Sequence, residues 1–99
     1  IHLTSMAGTW SVIVQGFAGV SIDDGQLTFR PYLPEQWEEY SFKITFRGRR
    51  LKITVAKDLM LVEQLSGTPL TFYVFDKEYN STVDNPVNLK LKTTSKVRL

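Results

Sequence analysis

Ninety-nine residues, of which 42% are hydrophobic, are enough for a single domain with one core and leave little room for a second module. A net charge of +2 is too small to imply a polyanionic partner by itself, and the absence of cysteine excludes disulfides and thiolate metal sites while fitting a reducing, cytoplasmic compartment. No run of about 18 apolar residues exists to span a membrane, and the start lacks the basic region and cleavage site of a signal peptide.

The first seventeen residues read as an amphipathic helix. Leu3, Met6, Ala7, Trp10, Ile13, Val14 and Phe17 recur at steps of three and four and form one apolar stripe, with Thr4, Ser5, Thr9, Ser11 and Gln15 off it. Such a stripe needs a partner surface, which is either this chain's own sheet or a further domain. The opening Ile1 in place of Met points to a processed or trimmed terminus. A helix heading an otherwise β-like chain points to a start inside a larger protein.

After Gly16 and Gly19 the period changes. Asp23-Asp24-Gly25 signals a turn before the β-like run Leu27-Thr28-Phe29. The segment from Arg30 to Glu39 carries Pro31 and Pro34, each lacking a backbone donor, and is predicted to cross between layers as irregular chain anchored by Leu33 and Trp37. Phe42, Ile44 and Phe46, then Leu51, Ile53 and Val55, alternate with polar residues, so two strands are expected with Gly48-Arg49 as the hairpin connection. A further strand runs from Leu59 to Leu65 after a Lys57-Asp58 turn. Ser66-Gly67-Thr68-Pro69 separates it from Leu70 to Phe75, whose near-continuous apolar character predicts a strand covered on both faces. Beyond Asp76 the pattern fades, apart from an alternating edge strand at Val87 to Lys92 protected by its lysines. The fold class is mainly β: a small antiparallel sandwich, jelly-roll-like, with an amino-terminal α-helix.

The chemistry is sparse. One histidine and no cysteine assemble neither a metal centre nor a nucleophilic triad, and no cofactor is implied. Glu35, Glu38 and Glu39 are acid/base candidates, but an acidic cluster beside a proline-rich crossing reads better as a solvated face. Arg47, Arg49 and Arg50 crowd one hairpin end, where basic residues more often blunt an exposed hairpin than bind nucleic acid. Trp10, Trp37, Tyr32, Tyr40 and Tyr73 suit sugar stacking, yet aromatic rings dominate small cores for their area alone, and core is the preferred assignment.

The stretch Ile1-His2-Leu3-Thr4-Ser5-Met6-Ala7-Gly8-Thr9-Trp10, continued by Val14-Gln15-Gly16-Phe17-Ala18-Gly19, resembles the segment closing the helical barrel in family 65 of the glycoside hydrolases, the maltose, trehalose and kojibiose phosphorylases and their hydrolytic relatives. Asp24-Gly25-Gln26-Leu27-Thr28-Phe29-Arg30-Pro31-Tyr32-Leu33-Pro34-Glu35-Gln36-Trp37, followed by Tyr40 to Arg49, resembles that family's carboxy-terminal sandwich. The resemblance covers about residues 1 to 75 and ends at Asp76. It implies that residues 1–19 end a helical barrel or link to it, and that residues 20–99 form a non-catalytic carboxy-terminal structural domain.

The implied parent is a maltose-type phosphorylase that cleaves an α-linked glucose disaccharide with inversion to β-glucose 1-phosphate, using a barrel glutamate and inorganic phosphate. His2 then contributes to the phosphate site, with Ser5 a weaker candidate, and only in the full enzyme. The remaining polypeptide is the expected partner, with phosphate and disaccharide as ligands of the whole enzyme. Self-association would bury an orphaned helix face. Neither nucleic acid nor membrane is an expected partner. An independent carbohydrate- or protein-binding module, or the tail of a family 65 hydrolase, stands as the alternative.

Overall fold

A computed structural model describes residues 16–91, so the expected helix over the first seventeen residues, with His2 and Ser5 on it, lies almost entirely outside the described residues. Gly16 to Ala18 are helical, and Gly19 follows in the left-handed region at φ 61°, donating to the Gly16 carbonyl at 3.1 Å. Chain exit is then fixed by two further bonds. Arg30 N–H reaches the Ala18 carbonyl at 3.0 Å and Tyr32 N–H the Phe17 carbonyl at 2.7 Å, satisfying two carbonyls that the end of a helix leaves without partners.

Eight strands follow: β1 (Ser21–Asp23), β2 (Gln26–Phe29), β3 (Glu39–Phe46), β4 (Arg49–Ala56), β5 (Leu59–Ser66), β6 (Leu70–Val74), β7 (Lys77–Ser81) and β8 (Val87–Lys90). They make two four-stranded sheets, ordered β1-β2-β6-β7 and β3-β4-β5-β8. The expected mainly β sandwich is observed, with one refinement. All pairings are antiparallel except β2 with β6, which run parallel through Leu27 to Phe72 and Phe29 to Val74; between them the chain builds β3, β4 and β5 of the second sheet, which β8 completes after β7.

The core lies between the sheets. Leu27, Phe29, Phe72 and Val74 from one sheet meet Leu51, Ile53, Val55, Met60 and Val62 from the other, all at most 2% exposed. Phe29 and Phe72 pack edge-to-face with centroids 5.8 Å apart, a preferred aromatic geometry. Leu33 and Trp37 pack against this core and anchor the crossing segment as expected.

Two expectations change. The β3–β4 connection is Arg47-Gly48, not Gly48-Arg49: Phe46 pairs with Arg49, and Arg47 and Gly48 take φ 50° and 79°, the doubly left-handed pattern of a type I′ turn. Strand β6 is not uniformly buried. Leu70, Phe72 and Val74 face the core, whereas Thr71 and Tyr73 are half-buried on the other face. The apolar run was misleading because Phe75 leaves the strand and enters a turn with Asp76.

Strands β1 and β7 and the Phe75-Asp76 turn between β6 and β7 add structure where no apolar alternation marks it. Edge strand β8 is present and pairs with β5.

Candidate functional site

A groove of about 1080 Å³ lies at one flank of the sandwich. The proline-rich crossing forms one wall through Tyr32, Leu33 and Trp37; Phe75, Lys77 and Tyr79 of the β6–β7 hairpin contribute a second; and the Lys57-Asp58 turn with Leu89 and Leu91 closes it. Local sequence explains each wall. Pro31 and Pro34 bar the crossing from either sheet, and Trp37 N–H donating to the Pro34 carbonyl at 2.9 Å folds that segment into a turn. Leu91 N–H donates to the Asp58 carbonyl at 2.9 Å and holds the end of β8 against the β4–β5 turn.

Two rings stand out of the groove into solvent: Tyr32 is 61% exposed and Phe75 50%. Neither is loosely held. Tyr32 packs edge-on to Phe17 at 6.1 Å, and its carbonyl accepts the Tyr40 hydroxyl at 2.9 Å. Phe75 sits at φ 49°, a conformation costly for a bulky residue, and is fixed there by its N–H donating to the Phe29 carbonyl at 3.0 Å. Its neighbour Asp76 pairs with Arg30 at 3.0 Å; both side chains are largely exposed, so this pair positions the turn more than it stabilises the fold.

Behind the crossing lies an aromatic chain. Phe17 meets Trp37 edge-to-face at 5.2 Å, Trp37 meets Tyr40 at 6.1 Å, and Tyr40 stacks on Phe42 at 6.3 Å. Burial pushes the Tyr40 phenol well above the usual tyrosine range, its hydrogen bond to Tyr32 only partly opposing that shift. Tyr40 is therefore a neutral structural donor. The aromatic residues thus divide: Tyr40 and Trp37 join the packing, as the core assignment expects, whereas Tyr32 does not.

The acidic candidates are dispersed. Glu35 borders the groove, while Glu38 and Glu39 border a separate shallow depression beside Trp37; all three are exposed. The arginines also separate. Arg49 is tied down by donating from Nε to the Thr68 carbonyl and from Nη2 to the Pro69 carbonyl, both at 3.1 Å, whereas Arg47 lies over the Phe46 ring at 5.1 Å and Arg50 is exposed. This is the behaviour of residues that finish a hairpin. Among the described residues no group of three His, Cys, Asp or Glu side chains is placed to hold a metal, and no helix is long and apolar enough to cross a membrane. Sequence reasoning missed Phe75 as a surface ring, since a lone aromatic at the end of an apolar run reads as strand; the Asp76 after it was the only turn signal.

The sandwich with its proline-rich crossing defines a class of small accessory β-domain. The sequence pattern of the glycosyl hydrolase family 65 C-terminal domain matches residues 20–81, and the chain belongs to that family. It is 42% identical over 77 residues to maltose phosphorylase of Bacillus subtilis, covering 78% of this chain and 10% of that protein. Identity is 40% over 78 residues to α,α-trehalose phosphorylase of Thermoanaerobacter brockii, covering 79% of this chain and 10% of the relative. For kojibiose phosphorylase of Caldanaerobacter subterraneus it is 48% over 68 residues, covering 68% and 9% respectively. A solved structure from the human microbiome, assigned as a kojibiose phosphorylase, superposes with a TM-score of 0.77 at 33% identity over 93% of this chain and 13% of its own. The chain thus spans about a tenth of the length of the curated relatives it matches.

Proposed function

We propose that this chain is the non-catalytic carboxy-terminal structural domain of a cytoplasmic family 65 phosphorylase of maltose type, residues 1–19 ending or linking to the helical barrel and residues 20–99 forming the sandwich. The observation that carries this reading is the family match over residues 20–81, shared with phosphorylases of which it forms only about a tenth. Its partner is the remainder of its own polypeptide.

In this reading a glutamate of the barrel protonates the glycosidic oxygen while inorganic phosphate attacks the anomeric carbon with inversion. Phosphate arrives anionic, so its site needs hydrogen-bond donors and no base. His2 supplies one through its imidazole N–H, and Ser5 one through its hydroxyl. The structural contribution of the described region is to pin the chain at Phe17 and Ala18, through the bonds from Tyr32 and Arg30 to their carbonyls.

The test uses the full-length parent, incubated with maltose, trehalose or kojibiose, with and without inorganic phosphate, and assayed for glucose 1-phosphate and free glucose. Phosphate-dependent glucose 1-phosphate from maltose is expected; equal glucose release without phosphate would make it a hydrolase. His2→Ala should then raise the KM for phosphate far more than that for disaccharide. Equal effects on both would remove His2 from the phosphate site.

A further inference from the structure

We propose that the flank groove is an auxiliary binding site for a neutral oligosaccharide, with the Tyr32 and Phe75 rings as stacking platforms. The groove, at about 1080 Å³, lies at the upper edge of the roughly 300–1,000 Å³ common for ligand clefts, and its lining mixes aromatic and aliphatic side chains with charged ones. That is the surface a pyranose requires: its C–H faces lie on aromatic rings while its equatorial hydroxyls exchange hydrogen bonds at the rim.

Rim charge selects the ligand class. Glu35 and Asp58 supply acceptors; Lys57, Lys77 and Lys90 supply donors, so no single-sign field favours a polyanion or a polycation, and a hydroxyl-rich neutral ligand can use both kinds. Lys77 is partly engaged, its ammonium lying 5.9 Å from the Tyr79 ring centroid.

Preorganisation is the second argument. Phe75 occupies a left-handed turn position that glycine or asparagine would fill at lower conformational cost, and it spends that strain on holding a ring half-exposed at the groove. The turn is held by the Phe29 carbonyl on one side and by the Arg30–Asp76 pair on the other, so the ring already stands at the groove without a ligand to order it. Tyr32 is fixed similarly by Phe17 and by the Tyr40 hydrogen bond to its carbonyl.

The choice of probe rests on the phosphorylase reading, but the proposal is read out by binding to this chain and that reading by turnover of the parent, so either can fail alone. Isotope-labelled 99-residue chain is titrated with maltoheptaose, with cellohexaose and with polygalacturonate, and amide shifts are followed. Maltoheptaose is expected to shift Tyr32, Asp58, Phe75 and Lys77 with a Kd on the order of 1 mM. Phe75→Gly suits the left-handed position and keeps the turn; it should weaken binding about tenfold, as should Tyr32→Ser, whose backbone carbonyl still receives Tyr40. Absence of shifts at about 20-fold that Kd, or shifts that persist unchanged in both variants, overturns the site. Stronger shifts with polygalacturonate overturn the neutral class. Should neither sugar bind while Phe75→Gly lowers the thermal stability of the parent but not of the isolated chain, the groove is an interdomain contact instead.

Discussion

Ser81 of β7 donates its hydroxyl to Gln64 Oε1 of β5 at 2.8 Å, joining the two sheets by a side-chain hydrogen bond inside the core, where the residues are 0% and 3% exposed. The Gln64 amide nitrogen donates to the Ser66 carbonyl at 3.3 Å and to the Thr68 carbonyl, so every polar atom of that side chain is satisfied. Such a network fixes how the sheets stack, which apolar packing alone specifies weakly. Ser81→Ala leaves Oε1 buried without its donor and should cost about 1–3 kcal/mol in urea unfolding. The double variant Gln64→Leu, Ser81→Ala should cost less than the two single changes summed, because neither orphaned partner remains. Additive losses would show that the bond is incidental.

Two glycines with similar backbone angles should respond differently to alanine. At Gly19, φ 61°, a Cβ would stand 2.6 Å from the Arg30 carbonyl oxygen, a backbone atom held by its own strand exit. At Gly48, φ 79°, nothing lies within 4 Å. Gly48→Ala therefore carries only the left-handed cost of about 1–2 kcal/mol, while Gly19→Ala adds a clash that must displace residues 30–32 from the helical turn. Thermal denaturation of both should rank Gly19→Ala well below Gly48→Ala. Equal melting temperatures would mean that the 17–32 contact contributes nothing.

How much of this was legible in the sequence follows from what alternation can encode. The β3–β4 hairpin was readable because Phe42, Ile44, Leu51, Ile53 and Val55 share a face, but moving the turn from Gly48-Arg49 to Arg47-Gly48 shifts the pairing by two residues and leaves every side chain on the same face. Only the left-handed preference of the turn residues distinguishes the two registers. Strand β1 is exposed at all three positions, and β7, Lys-Glu-Tyr-Asn-Ser, buries only Ser81 fully. Both exist because neighbours supply hydrogen bonds, a tertiary cause with no local signature. The groove was illegible for the same reason: it joins residues near 32, 57, 75 and 90, which only the sandwich topology brings together.

Core packing concentrates on one ring. Phe72 is 0% exposed, central in its sheet between β2 and β7, edge-on to Phe29 and stacked on Tyr79 at 5.9 Å. Phe72→Ala should cost about 3–5 kcal/mol, a large share of the 5–15 kcal/mol typical of a domain. The melting transition should fall toward ambient temperature or vanish, whereas Phe72→Leu should retain cooperative unfolding. A loss of under about 1 kcal/mol on truncation would mean that the two sheets are not packed as described.

Tyr40 gives the domain an alkaline limit. Its phenol is raised in the folded state chiefly by burial, while in the unfolded chain it titrates near the ordinary value of about 10. The sign follows from proton counting. Above about pH 10 the unfolded chain has released this proton and the folded one has kept it, so the unfolded state binds fewer protons and stability falls as pH rises. The contribution is complete below pH 10 and is lost progressively toward the folded value. Tyr40→Phe removes the hydrogen bond to the Tyr32 carbonyl, costing about 0.5–1.5 kcal/mol at neutral pH, but it also removes the titration. Urea midpoints of the two proteins should differ at pH 8 and converge by pH 11. Parallel declines over that interval would place the alkaline sensitivity on another group.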